Sequence, residues 1–239
     1  MKSMSEDKWN LLAKEIFDMN KSKLHPGAMD NKLIAYPEIH RLINRHFKSK
    51  KGLQVLDFGC GTGNFATEVS AKVKGVIGID PSLEMIEIAN RKGISNAEFI
   101  LGDINNIPES KTFDIIIAAM VFQFIQDIDN VIARLCDRLN QGGILIFAVH
   151  NNRYIEECLR RKYKFYESEN RLYIQLSNVT IPVFNKSSND YVALFSKHAN
   201  MVKYEVIEPP FSETYLKLYA DEIEPAHISK FLIMSYVKK

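Results

Sequence analysis

Long apolar runs are missing from this chain: no stretch reaches the roughly 18 residues that a bilayer-spanning helix needs, and the N-terminus lacks an apolar leader core. No membrane partner is expected. Cysteine is scarce too, and Cys60, Cys136 and Cys158 form an odd set without C-x-x-C spacing, which argues against a disulfide framework or a structural zinc site. A reducing, cytoplasmic setting without a bound metal is the expectation. Charge of one sign is also lacking, since 31 basic and 29 acidic residues leave a formal +2 at pH 7 and no field that would mark a nucleic acid as the partner. A small molecule is the expected partner, with monomer and homodimer both open. Repeats and low-complexity linkers are absent as well.

What the 239 residues do contain is enough apolar material, 46% of the chain, for one elaborated α/β domain. We divide it into an N-terminal helical lid over 1–50, a ligand-binding core over 51–150, an inserted cap over 151–185, and a C-terminal helix with strands over 186–239. The core opens on Gln54-Val55-Leu56-Asp57-Phe58-Gly59-Cys60-Gly61-Thr62-Gly63. Its apolar run reads as a buried parallel strand, its three alternate glycines as a tight turn, and the amphipathic run from Asn64 as a helix. Glycine permits left-handed φ values there and lets a ligand approach the backbone. The helix start beyond it suits a carboxylate or a phosphate. A dinucleotide fingerprint, G-x-G-x-x-G, would need its third glycine at 64, where this chain has Asn64.

Further apolar strands follow at Val76–Asp80, Ala97–Leu101, Phe113–Ala119 and Ile144–Val149, alternating with helical stripes such as Met85, Ile86 and Ala89. That alternation predicts a doubly wound parallel sheet. Asp80 lies about one helix and one strand beyond the glycine turn, as a β-α-β unit requires. It reads either as the acceptor of both hydroxyls of a ribose or, with Ser82 as N-cap, as part of a solvated helix start. The long helix from Ile128 is expected to stop at Gly142-Gly143. Beyond His150 the spacing predicts a solvated helix over 156–164, short strands at 173–176 and 181–184, a helix signalled by Ser188-Asn189-Asp190, and strands at 203–207 and 231–237. Before the core, Trp9, Leu12, Ile16 and Phe17 share one helix face, Asn20–Lys23 ends that helix, and His25-Pro26-Gly27 is a turn. Ile39, Leu42, Ile43 and Phe47 line a second helix opening at Pro37, and Tyr36, immediately before the proline, is expected to be extended.

Three acids at successive strand tips, Asp57, Asp80 and Asp103, together with Gly59, Gly61 and Gly63, resemble motif I and its neighbours in the class I S-adenosylmethionine-dependent methyltransferases. The likeness runs over about residues 51–149 and, in the small-molecule branch, on through Phe184–Ser188 and Val206–Pro210. It implies a seven-stranded Rossmann-like sheet in the order 3-2-1-4-5-7-6 with the last strand antiparallel. It implies a cofactor, S-adenosyl-L-methionine, with S-adenosyl-L-homocysteine as product. Gly59, Cys60, Gly61 and Gly63 would cradle its methionyl part, with Asp57 orienting the loop or the ammonium. Asp80 would hold the ribose, Pro81 or Met85 would pack on adenine, and Asp103 or the Ile104 N–H would meet its nitrogens. Ala119 would border the same cofactor.

The exit of the fourth strand, Met120, Phe122 and Gln123, is where that branch places its acceptor, and Tyr36 would close over it from the lid. The segment lacks the Asn/Asp-Pro-Pro-Tyr pattern of many amino-group methylators of adenine and glutamine, which favours a small, partly apolar acceptor. His150, at the tip of the fifth strand, is the candidate base, or else a strand-end residue bonded to backbone. Two rival readings are a nicotinamide-dependent oxidoreductase, against which Asn64 speaks, and a non-catalytic S-adenosylmethionine-binding regulator.

Overall fold

A computed structural model describes residues 6–17, 29–218 and 227–239. The expected turn at 25–27 and helix end at 20–23 lie outside the described residues. Strands β1 (Gln54–Phe58), β2 (Gly75–Asp80), β3 (Ala97–Leu101), β4 (Phe113–Ala119) and β5 (Leu139–His150) pair in parallel. The three strands β6 (Phe165–Ser168), β7 (Arg171–Leu176) and β8 (Val179–Val183) form a separate antiparallel sheet, and β9 (Met201–Ile207) and β10 (Phe231–Lys238) return to the main one. Its order is β3-β2-β1-β4-β5-β10-β9, with β10 antiparallel to both neighbours. Allowing for the three cap strands in the numbering, this is the order 3-2-1-4-5-7-6.

The helices are α1 (Glu6–Leu12), α2 (Tyr36–His46), α3 (Asn64–Val69), α4 (Leu83–Arg91), α5 (Ile128–Arg138), α6 (Asn152–Arg160), α7 (Ser188–Ser196) and α8 (Glu213–Leu218). Period-two alternation splits the strand residues between two cores, so that both faces of the sheet must be covered. Val55, Ile115, Ile117, Ile144 and Ile146 face the core shared with α2, α3 and the N-terminal segment. Leu56, Ile116, Leu145 and Phe147 face the one shared with α5 and α7. The parallel strands therefore all point their carboxyl ends to one rim, where ligands bind in such sheets.

Four local expectations change. Tyr36 is helical, at φ −61° and ψ −39°, because the chain before it forms a π-type turn over Asn31–Ala35 whose last link runs from the Tyr36 N–H to the Asn31 carbonyl. A wide turn relieves the clash that a proline makes with the preceding turn, so Pro37 continues the helical path instead of opening it. Gly142-Gly143 does not end α5, which stops at Arg138; the glycines lie within β5, where its pairing with β4 jumps from Phe113↔Leu139 to Ile115↔Ile144. A bulge, not a cap, is what they allow. In the cap, α6 runs over Asn152–Arg160 and ends four residues short of the expected helix end, and an unanticipated strand, β6, follows at Phe165–Ser168. Finally, α7 is capped one residue early, by Ser187 in a reciprocal box with Asp190.

Candidate functional site

The turn after β1 is pinned by two backbone bonds, from the Gly59 and Cys60 N–H groups to the Ile79 carbonyl at 2.8 and 3.0 Å. Gly59, Gly61 and Gly63 all take left-handed φ, at 72°, 51° and 71°. Their surroundings differ. A Cβ on Gly59 would collide with Val121 Cγ2, and one on Gly63 would lie 2.8 Å from Phe99 Cζ and 3.1 Å from Ala89 Cβ. One on Gly61 would meet only Met85 Sδ, at 3.8 Å. The outer glycines thus let neighbouring elements pack, while the middle one leaves open space above the backbone.

Asp80 ends β2 with both carboxylate oxygens engaged: Oδ2 accepts the Gly61 N–H at 2.9 Å and Oδ1 accepts the Ser82 N–H at 3.0 Å. Ser82 in turn caps α4 by accepting the Met85 N–H. The helix-start reading of Asp80 is what these bonds show, at a buried rather than a solvated start, and each oxygen keeps a second lone pair. Asp57 is almost wholly buried, and its Oδ2 has no hydrogen-bond partner. Burial first, then the nearby Asp80, push its carboxyl up to about 7, against the pull of Lys92. Asp80 is raised to about 6 by burial, opposed by the N–H groups of Ser82 and Gly61. Cys60 is a protonated thiol, raised well above its usual range by burial and then by Asp80 and Asp57.

A raised carboxyl makes the folded state the better proton binder, so stability falls as pH rises from the unfolded value near 4 through the folded value near 7. For Asp57 this amounts to on the order of 4 kcal/mol between pH 4 and 8. We expect Asp57→Asn to be more stable than the parent at pH 8 and indistinguishable from it at pH 4. Urea denaturation at both pH values checks this; equal gaps at the two would remove the buried-acid account.

These groups share one wall of a cavity of about 790 Å³ at the carboxyl rim of the sheet. Of the residues singled out in the sequence, Asp57, Gly59, Cys60, Gly61, Asp80, Pro81, Met85, Asp103, Ala119, Met120, Tyr36 and His150 border it. Asp103 opens a short turn, where its Oδ1 accepts the Asn105 N–H and its own N–H donates to Asn106 Oδ1. Tyr36 packs edge-on against Phe65, and His150 edge-on against Phe165. Gly63, Ile104, Phe122 and Gln123 do not reach the cavity wall. Ile104 points into the core beside α5. Met120 has φ +62°, which breaks the strand alternation, and the 3₁₀ turn that follows presents Val121 and Phe124 to the cavity. Phe122 consequently packs 4.9 Å from Phe147, and Gln123 is fully buried with Nε2 3.7 Å from Met120 Sδ.

The sequence reading missed the polar residues that the N-terminal segment brings to this wall, Asp30 and Asn31, and the latch by which Thr62 Oγ1 donates to the Phe17 carbonyl at 3.1 Å. No periodic pattern marks either. Trp9, Ile16 and Phe17 also border the cavity, as do Ile174 and Leu176 of the cap. Lys8 Nζ ties α1 to the cap through the Thr180 carbonyl at 2.8 Å. Among the described residues no cluster of His, Cys, Asp or Glu is built to hold a metal, and no helix is long and apolar enough to cross a membrane.

The sheet order and the glycine cradle at its switch point define a Rossmann-like α/β domain of the methyltransferase type. A family model described as a methyltransferase domain matches residues 49–198, and the chain belongs to that family. Over 118 residues it is 29% identical to a malonyl-[acyl-carrier protein] O-methyltransferase of Bacillus anthracis, covering 48% of this chain and 44% of that one. Over 101 residues it is 33% identical to a trans-aconitate 2-methyltransferase of Deinococcus radiodurans, covering 41% and 38%. The chain thus spans less than half the length of these curated relatives. A solved S-adenosylmethionine-dependent methyltransferase of Clostridium acetobutylicum superposes with a TM-score of 0.63 at 15% identity, over 88% of this chain and 96% of that one. At that identity the likeness is one of fold.

Proposed function

We propose that this protein transfers the methyl group of S-adenosylmethionine to a small-molecule acceptor. The observation that carries this reading is the buried, partnerless Asp57 Oδ2 on the wall of a cavity that also opens directly over Gly61. An orphaned carboxylate oxygen is unfavourable unless a donor or a cation comes to it. The cofactor's ammonium is such a group, and the space above Gly61 admits the chain that bears it. Asp80 would hold the ribose hydroxyls while fixing the glycine turn, Met85 and Pro81 would flank the adenine, and Asp103 would meet its nitrogens.

When bound, the cofactor supplies a methyl carbon on a sulfonium whose leaving group is already activated. The chain's contribution is then mainly positioning, an effect worth up to roughly 7–11 kcal/mol. Trp9, Ile16 and Tyr36 from the lid, with Ile174 and Leu176 from the cap, exclude water from the reacting end. His150, set between Phe165 and Phe231, is the imidazole we assign to the acceptor's proton. The family match and the names of the curated relatives, both methyltransferases, support the reading.

Calorimetric titration with S-adenosylhomocysteine and, separately, with NADH tests it. Binding of the first and none of the second is expected. The reverse result would sink the proposal, and binding without turnover of any acceptor would leave only a cofactor-binding protein.

A further inference from the structure

We infer that the acceptor is a small apolar amine, taken with its nitrogen against Asp30. This rests on the methyl-transfer reading and narrows it to a substrate class. Asp30 stands at the entry to the helical run that leads into α2, 9% exposed, on the cavity wall. Its Oδ2 lies 2.6 Å from the ammonium of Lys230, while its Oδ1 is buried without a hydrogen-bond partner. Lys230 is itself 3% exposed, with its ammonium within 6 Å of the Tyr154 and Tyr215 ring centroids, and it does not border the cavity. One carboxylate oxygen is therefore held from behind and the other is left for a ligand.

The backbone places this oxygen at the acceptor end. The Lys230 carbonyl accepts the Asn151 N–H at 2.9 Å, and the next pair along β10 and β5 is Phe231 with His150, both on the cavity wall. Asn31, beside Asp30, brings a second buried oxygen without a partner to the same wall. Around them the surface is apolar, from Ile16, Met120, Ile174, Leu176 and Phe231. Such walls with a few polar groups are the usual make-up of a small-molecule site.

Charge decides between acceptor classes. Asp30, Asp57, Asp80, Asp103 and Asp127 border the cavity, and none of its described lining residues is Lys or Arg. A carboxylate acceptor would enter among acids with no lysine or arginine to meet it, which is unfavourable in a water-poor site. An alcohol would satisfy Asp30 Oδ1 with one hydrogen bond and no charge. An amine does more, because its nitrogen becomes positive as it reacts. The ammonium first gives one proton to the His150 imidazole, which passes it to water, and the lone pair is exposed. That pair forms the N–CH₃ bond as the carbon–sulfur bond breaks, and sulfur keeps the bonding electrons as a thioether. The positive charge thus passes from sulfur to nitrogen, where the free oxygen of Asp30 stabilises it.

Three probes of one shape test this: 2-phenylethylamine, 2-phenylethanol and phenylacetate, each titrated into the protein saturated with S-adenosylhomocysteine and each assayed for methylation. We expect the amine to bind about tenfold or more tighter than the other two, and to be the one methylated. Asp30→Asn alone takes a charge partner from the buried Lys230 ammonium, so the double variant Asp30→Asn/Lys230→Met, which removes both charges, is compared as well. It should hold S-adenosylhomocysteine as the parent does and lose the preference for the amine. If S-adenosylhomocysteine itself fails to bind, the methyl-transfer reading falls and this inference with it. If it binds while the acid or the alcohol equals the amine, or no amine binds, the cofactor reading stands and the amine assignment is overturned.

Discussion

Alanine at Gly63 and alanine at Gly61, two residues apart in one turn, should fail in opposite ways. At Gly63 the new Cβ must displace Phe99 and Ala89 while the backbone holds φ +71°. Left-handed backbone costs about 1–2 kcal/mol for a residue with a Cβ, and overpacking a tight contact adds about 1–3 kcal/mol. Gly63→Ala should therefore lose roughly 2–5 kcal/mol of stability by urea denaturation. At Gly61 the Cβ meets no atom closer than 3.8 Å, so the backbone penalty stands alone. The added methyl enters the space assigned to the cofactor, and affinity for S-adenosylhomocysteine should fall by about tenfold or more, or 1.4 kcal/mol. Unchanged affinity in a folded Gly61→Ala protein would mean that the ligand does not approach the turn there.

Asp80→Ala should combine both failures. Hydrogen bonds to a charged group are each worth about 1.5–3 kcal/mol, and two ribose hydroxyls would lose theirs, so about a hundredfold or more in affinity is expected to go. The fold should also weaken, by about 1–3 kcal/mol, because the Gly61 and Ser82 N–H groups lose their acceptor. The partial relief from burying a carboxylate keeps that figure low. Calorimetry and denaturation on the same preparation separate the two effects. Affinity equal to the parent's would reduce Asp80 to a brace for the turn.

The core of the site is legible in the sequence because its signals are local. Buried parallel strands announce themselves as short apolar runs, and an acid at each tip followed by a turn gives Asp57, Asp80 and Asp103 their places without any knowledge of packing. The strand order came from resemblance, since periodicity alone does not say which strands are neighbours. The acceptor end is harder. Asp30 and Asn31 reach the cavity through a π-type turn, a register change that a period of 3.6 residues does not anticipate. Phe122 and Gln123 come to the cavity only through the resemblance, which places the acceptor at the exit of β4. One residue with positive φ, Met120, rotated that exit and exchanged them for Val121 and Phe124. Tyr36 was expected to be extended on the rule for residues before proline, and the same wide turn overrode the rule.

The cap has a bearing on ancestry as well as on chemistry. Its three strands leave the main sheet after β5 and come back through α7, and the Phe184 N–H meets the Gln123 carbonyl at 2.7 Å near that return. Because the excursion begins and ends on the scaffold, its strands can lengthen, shorten or be replaced without re-registering β1 to β5. On our reading the groups that hold the cofactor all lie between Asp57 and Ala119, upstream of the excursion. On that same reading, a lineage could change its acceptor by altering the cap and the lid and leave the residues assigned to the cofactor as they were.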